Sequence, residues 1–406
     1  MGLGSSPLRH HRTPTSLPDR PIRAARATTS GIERFTQKLY KSISTHTMKQ
    51  IYTCLLLLAA LGLTCTSCDD DHSYVPTARD VRGAVVINQG SMGYQAGTLD
   101  WLNLEDGTYT STALTLGGTP ENVVECSGYI FVPLYEENVV AVYDKSSLRA
   151  AARIAVRTPQ SVCTDGEHVF AVGADSIFRI STSNLSVEQA DTVGHTAYAS
   201  VCAGGSVYVA IGQGWGQYEG GNLVAKVNPQ TLTREYITVG INPYNQMVAD
   251  ESGNVFVVCA GDYGDTPSQV YRIASDNSTK VIGNGSYIDV CQGKLYVAYR
   301  TSLYDEMWNE SSQSTYTLYD AATGDKLSDN FLSTTNELPT APTFIKVNPD
   351  GAEVYVGANS LTEAGYVSYT QSGKVYRFNN RGVLINTYEA GVSPYALYFL
   401  TQRVQE

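Results

Sequence analysis

The chain has 406 residues, a formal net charge of −11 and 28 tyrosines against 9 phenylalanines. An acidic chain with no Lys/Arg cluster after Met48 excludes nucleic acid and anionic lipid surfaces as electrostatic partners. The tyrosine excess fits a protein with much wetted aromatic surface, because tyrosine packs its ring while its hydroxyl stays in water.

Residues 1–47 are rich in Arg, Ser, Thr and Pro, show no apolar periodicity, and read as a disordered start-site artefact. Met48-Lys49 then leads into "IYTCLLLLAALGLT". A basic start, a short apolar run and small residues before a Cys describe a secretory signal over 48–67. The run falls short of the roughly 20 residues a membrane helix needs. "CTSC", ending at Cys68, resembles a bacterial lipobox, with Cys65 where Leu is usual. That resemblance implies cleavage before Cys68, acylation of Cys68, and a lipid-anchored tether over 68–82. An ordinary cleaved signal is the alternative. "DDD" at 69–71 is similar to the acidic run that sends some lipoproteins of Gram-negative gut anaerobes to the cell surface. It implies a surface-exposed outer-membrane protein.

From residue 83 the sequence repeats. The residue before a recurring Pro, or before its substitute, falls at Thr119, Thr158, Thr196, Asn242, Gly285, Ala341 and Ser393. Each landmark introduces a short apolar strand A, such as "QSVC" or "YIDVC". A Gly turn follows, then a strand B read as alternating, such as "IFVPL" or "VYVAI". After a variable loop come a strand C, such as "VVAVYD" or "KVYRFN", and a less regular strand D. Val, Ile, Tyr and Phe between Gly, Asn and Asp turns are strand and hairpin signals. Four-stranded units at about 40–50 residues predict an all-β, seven-bladed β-propeller over 83–406. "SPYALYFL" (393–400) begins a seventh blade whose partners, "GAVVINQG" from Gly83 and "GTLDWLNLEDG" from Gly97, stand at the other end of the domain. N- and C-terminal strands therefore share one blade, which removes two open edges.

The same units orient the ring. A–B and C–D turns are short and share one face. Nearly all length variation sits in the B–C loops of the other face, including the long loop 301–316. Loops carry function on rigid scaffolds, and these are rich in Tyr, Trp, Asn and Gln, the composition of an adaptable binding surface. Candidate ligand contacts are Tyr135, Trp215, Tyr218, Tyr263, Tyr304, Trp308, Tyr366 and Tyr369 in the loops. Tyr198, Tyr244, Tyr287 and Tyr395 stand at equivalent strand positions near the central mouth. Packing within the repeat is the plainer role for each.

Cys126, Cys163, Cys202 and Cys291 end strand A in four blades and read as small buried apolar residues. Equivalent positions in successive blades are expected to lie outside disulfide range. No His spacing resembles a metal site and no GxSxG motif occurs, so no catalytic residues and no cofactor are expected. Glu121, Asp289 and Asn245 are the residues a channel metal would use in a lactonase-like alternative, and His195 is a lone candidate ligand on the loop face.

Two segments, "VVINQGSMGYQAGTLDWLNLEDGTY" (85–109) and "DGAEVYVGANSLTEAGYVSYTQSGKVYRFNNRGVLINTYEAGVSPYALYF" (350–399), resemble the opening and closing blades of the YncE-like surface lipoprotein propellers. That family includes the cobalamin-capturing lipoproteins of gut bacteria. The resemblance implies a non-enzymatic receptor that captures a corrinoid for a TonB-dependent outer-membrane transporter. It carries Asn88, Gln89 and Tyr94 over as possible ligand contacts, with Gln89 where Glu is commoner. A glycan or a siderophore is the alternative ligand, and a hydrolase with a channel metal the alternative class.

Overall fold

The structure, a computed structural model, describes residues 81–212, 221–332 and 338–401. The expected leader, signal, Cys68 and most of the tether lie outside the described residues, as do Trp215 and Tyr218. Every regular element among the described residues is a strand, and the strands form seven four-stranded antiparallel sheets.

The first three strands, β1 (Val81–Asn88), β2 (Gly97–Asn103) and β3 (Tyr109–Gly117), belong to the closing blade. Blade 1 holds β4 (Val124–Cys126), β5 (Tyr129–Leu134), β6 (Val139–Asp144) and β7 (Ala150–Ala155). Blade 2 holds β8 (Pro159–Thr164), β9 (His168–Gly173), β10 (Ser176–Ser181) and β11 (Ser186–Thr192). Blade 3 holds β12 (Ala197–Ala203), β13 (Ser206–Ile211), β14 (Leu223–Val227) and β15 (Arg234–Thr238). Blade 4 holds β16 (Pro243–Ala249), β17 (Val255–Cys259), β18 (Gln269–Ile273) and β19 (Thr279–Asn284). Blade 5 holds β20 (Tyr287–Cys291), β21 (Lys294–Tyr304), β22 (Glu310–Asp320) and β23 (Lys326–Ser328). Blade 6 holds β24 (Pro342–Val347), β25 (Glu353–Ala358), β26 (Ser372–Asn379) and β27 (Leu384–Val392). The last strand, β28 (Pro394–Thr401), pairs antiparallel with β1, with Val85 opposite Tyr398 and Ile87 opposite Ala396. Blade 7 is thus β28-β1-β2-β3, and the seven-bladed ring closes with strands from both ends of the domain, as the repeats predict.

Seven hydrophobic clusters hold the ring, one at each seam between neighbouring blades. Period two explains this arrangement. In β1, Val85 and Ile87 pack toward blade 1 while Ala84 and Val86 pack toward blade 6. The second strand of each blade is therefore buried on both faces, not on alternate residues as its sequence suggests. From the second residue onward β5, β9, β13 and β25 are wholly buried. A sheet sandwiched between two others has no solvent face, so a continuous apolar run is what its burial demands. The outermost strands are wet, and β11 has no buried residue.

Polar stitches add to the apolar seams around the channel. Asn122 Oδ1 accepts from Val162 N at 2.9 Å, and Ser161 Oγ meets Ser200 Oγ at 2.9 Å. Gln246 Oε1 accepts from Ile288 N at 2.8 Å, and Asp289 Oδ2 from Val347 N at 2.7 Å. Thr343 donates to Pro394 O. Each side chain satisfies a group of the next blade's innermost strand, where an unpaired buried N–H would cost about 1–3 kcal/mol.

The 301–316 loop is not a loop. β21 and β22 run on as a hairpin with two 11-residue arms, pairing Thr301 with Gln313 and Tyr304 with Glu310. Its turn is set by Asp305, whose Oδ1 accepts from Met307 N at 2.9 Å and Asn309 N at 2.8 Å. Alternating Ser, Thr and Tyr suit an extended ribbon, although their polarity gave the segment the look of a loop.

Candidate functional site

The landmark residues shape the central mouth. Thr119, Thr158, Asn242 and Ser393 stand at φ 47°, 40°, 52° and 53°, and each precedes a proline. Proline disfavours the right-handed helical region for the residue before it. The left-handed backbone found here turns the chain off the loop face into the innermost strand. The second residue after each landmark is then equivalent around the ring: Glu121, Gln160, Tyr198, Tyr244, Tyr287, Thr343 and Tyr395. Glu121 is the one carboxylate in that set.

Tyr198 and Tyr244 meet edge to face, with ring centroids 4.6 Å apart. Burial pushes the Tyr244 hydroxyl's pKa up, and proximity to Glu121, Tyr263, Tyr198 and Tyr287 pushes it further. Tyr395 is raised in the same way, by burial and then by Glu121, Tyr244 and Tyr287. Tyr198 feels burial first, then Tyr263 and Tyr135. Tyr244 of blade 4 and Tyr395 of blade 7 therefore stand within reach of the blade 1 carboxyl, with Tyr198 against Tyr244, Tyr287 near both Tyr244 and Tyr395, and Tyr135 and Tyr263 next to Tyr198.

Glu121 is only 9% exposed. Burial pushes its carboxyl up to about 8, and a hydrogen bond from Gln89 Nε2 at 3.1 Å offsets that only in part. No cation is among the groups that shift it. At neutral pH the mouth thus holds a neutral carboxylic acid, able to donate one hydrogen bond and accept others.

A second aromatic group stands on the extended hairpin and the neighbouring blade 6 loop. Arg300 bonds Glu310 and donates to Tyr369 Oη at 3.1 Å. Burial raises the Glu310 pKa, but hydrogen bonds from Ser302 and Tyr369 and the Arg300 charge outweigh it, and the carboxylate ends below its usual range. Val367 N donates to Glu310 O at 2.8 Å, and Tyr366 bonds the Asp305 carboxylate. These contacts fix the two loops as one ridge. On it Tyr304 and Trp308 pack at 6.2 Å, and Trp308 is 82% exposed. Tyr287 links the ridge to the mouth, because it lies within electrostatic reach of Arg300 as well as Tyr244 and Tyr395.

Among the residues the sequence singles out, Tyr135, Tyr198, Tyr244, Tyr263, Tyr287 and Tyr395 come together with Gln89 around the mouth. Tyr304, Trp308, Tyr366 and Tyr369 gather on the ridge. Tyr94 stands apart on a tight blade 7 turn and is 92% exposed. Asn88 is fully enclosed, donating to Thr98 Oγ1 at 3.0 Å, and the space beside it exists because residue 391 is glycine. Asp289 is committed to Lys346 and Val347, and His195 is exposed. Among the described residues no group of three His, Cys, Asp or Glu side chains is placed to hold a metal ion. Gln160 in the mouth and the Arg300–Ser302–Glu310 network were not found from sequence. Counting two residues on from each landmark finds the first, and recognising the hairpin register finds the second.

A hollow of about 500 Å³ lies away from the mouth, between Asn284, Tyr299, Thr315, Thr317 and Lys326. It arises where the three-residue β23 leaves most of β22 without an outer neighbour, so it reflects a short outer strand and no convergence of the mouth residues.

These observations define a seven-bladed β-propeller with a polar, aromatic mouth. No protein-family model matches the sequence, and no curated protein matches it. Solved structures do match the fold. A hydrazine synthase of Kuenenia stuttgartiensis superposes with a TM-score of 0.53 at 13% identity, over 70% of this chain and 96% of that one. A quinonprotein alcohol dehydrogenase-like protein of Bacteroides thetaiotaomicron superposes with a TM-score of 0.53 at 14% identity, over 79% and 78%. At such identities the likeness is one of fold alone.

Proposed function

We propose that the protein is a non-enzymatic surface receptor that captures a bulky, uncharged, amide-rich ligand at the propeller mouth, most specifically a corrinoid. In this reading it hands the ligand to a TonB-dependent outer-membrane transporter. The observation that carries it is the ring of equivalent positions, where a neutral Glu121 bonded to Gln89 shares the mouth with four tyrosines and Gln160. Aromatic faces with a few convergent polar groups are what a large, partly apolar ligand needs. A carboxylic acid kept neutral matches the amide groups of a corrinoid better than the anionic groups of a ferric siderophore. The exposed Tyr304 and Trp308 supply rings that would cover a ligand's rim, and they also suit a glycan.

A second reading rests on Glu121 itself. A buried carboxyl with a pKa of about 8 is a candidate general acid, which favours a hydrolase with Glu121 as proton donor rather than as the ligand of a channel metal.

Calorimetric titration of the full-length protein with cyanocobalamin at near-physiological salt separates these. One-to-one binding weakened at least tenfold by Tyr244→Ala or Trp308→Ala supports capture at the mouth and ridge. No heat, and no co-elution of the red ligand on gel filtration, overturns the corrinoid assignment. Lactone turnover abolished by Glu121→Gln would establish the second reading.

A further inference from the structure

Four of the innermost strands carry a cysteine near their ends, and one adjacent pair meets. The Cys202 thiol donates to Cys163 Sγ at 3.3 Å, which corrects the expectation that equivalent cysteines stay out of range. Ser161 and Ser200 explain the contact. Each lies two residues before its cysteine, on the same face of its strand. Their hydroxyls meet at 2.9 Å, with Ser200 N also donating to Ser161 Oγ at 3.2 Å. The spacing fixed at that seam is inherited by the cysteines. Elsewhere the pattern breaks. Cys126 Sγ accepts from Thr164 Oγ1 at 3.2 Å, and Cys291 faces the carbonyl oxygens of Asn348 and Pro349. Cys259 lies buried on β17.

We propose that Cys163 and Cys202 form a modification site, closing into a disulfide that ties the innermost strands of blades 2 and 3 together when the protein meets a low-molecular-weight disulfide. The sulfurs must close from 3.3 Å to about 2.05 Å. Cys202 is partly exposed whereas Cys163 is buried, so Cys202 reacts first. Its thiolate attacks the small disulfide, forms a mixed disulfide and releases one small thiolate. Cys163 then loses its proton to solvent and attacks the Cys202 sulfur, expelling the second small thiolate. Two protons leave, and two electrons pass to the small disulfide, which becomes two thiols. The hydrogen bond to Cys163 and then burial hold the Cys202 thiol well above the usual thiol range, so the exchange is slow at neutral pH and faster in alkali. The export signal expected at 48–67 would take the domain to oxidising surroundings, where such bonds persist.

The test uses the full-length protein, folded and fully reduced, then incubated with oxidised glutathione in mildly alkaline buffer, alkylated and read peptide by peptide. The expected product is a Cys163–Cys202 cross-linked peptide lighter by two hydrogens, with Cys126, Cys259 and Cys291 alkylated. The oxidised protein should melt a few degrees higher than the reduced one, and dithiothreitol should reverse the shift. Cys163→Ser and Cys202→Ser, both near-isosteric, should each abolish the cross-link. Recovery of Cys163 and Cys202 as alkylated thiols, or of Cys202 only as its glutathione adduct, overturns the proposal. So does a cross-link through Cys126, or one that forms only in denaturant.

Discussion

Gln89 donates its side-chain amide to the Glu121 carboxyl at 3.1 Å, joining the residue that follows β1 to the entry of blade 1. The contact spans the seam beside the ring closure, so the group that tunes the mouth depends on the closure itself.

Glu121 makes stability depend on pH. Its ordinary value is 4.5 and its folded value about 8. Below 4.5 both folded and unfolded chains hold the proton, and above 8 both have lost it. Between those limits only the folded state holds it, so stability falls as pH rises, by on the order of a few kcal/mol in total. Glu121→Gln should flatten thermal stability measured between pH 5 and 9. A slope equal to that of the unaltered protein would show that Glu121 is ionised in the fold.

Arg300 and Glu310 are both nearly buried and neutralise each other. Arg300→Ala leaves a buried carboxylate unpaired and should cost about 3–5 kcal/mol in urea unfolding, whereas Arg300→Met with Glu310→Leu should cost much less. Equal losses would show that the charge pair, and not the orphaned carboxylate, sets the penalty.

Asp289 was a candidate metal ligand, but its contacts are structural. Asp289→Ala removes the acceptor of Val347 N and should destabilise by about 1–3 kcal/mol. Asp289→Asn keeps an acceptor and should retain most of that stability. If both variants melt with the unaltered protein, the stitch between blades 5 and 6 contributes nothing.

Thr158 sits at φ 40°, where a β-branched residue is strained, and blade 4 uses Asn242 at the equivalent position. Thr158→Asn should stabilise by about 0.5–1 kcal/mol, because Asn tolerates the left-handed region better. A lower urea midpoint would show that Thr158 makes a contact worth more than the strain.

Much of this was legible in the chain. The landmark prolines, Gly turns and apolar strands announced seven blades, because each blade repeats the same burial problem and the same residues solve it. The shared blade was visible because "SPYALYFL" is a first strand with nothing after it to pair with. The burial of the second strands was not legible, since a run such as "IFVPL" looks half-buried unless another blade covers each face. The extended hairpin was hidden for the opposite reason: Ser, Thr and Gln are polar enough for a loop, yet the register from Thr301 to Tyr304 satisfies their backbone as strand.

The sequence by itself determined the class of fold, its number of blades and the face that carries the aromatic loops, because period, turn chemistry and loop length are local properties. Only the tertiary structure decided that Glu121 would be neutral beside tyrosines of two other blades, that Arg300 would pair with Glu310, and that Cys163 and Cys202 would touch. Each of those depends on desolvation or on distances across seams, and both are set by how blades distant in the chain pack against one another.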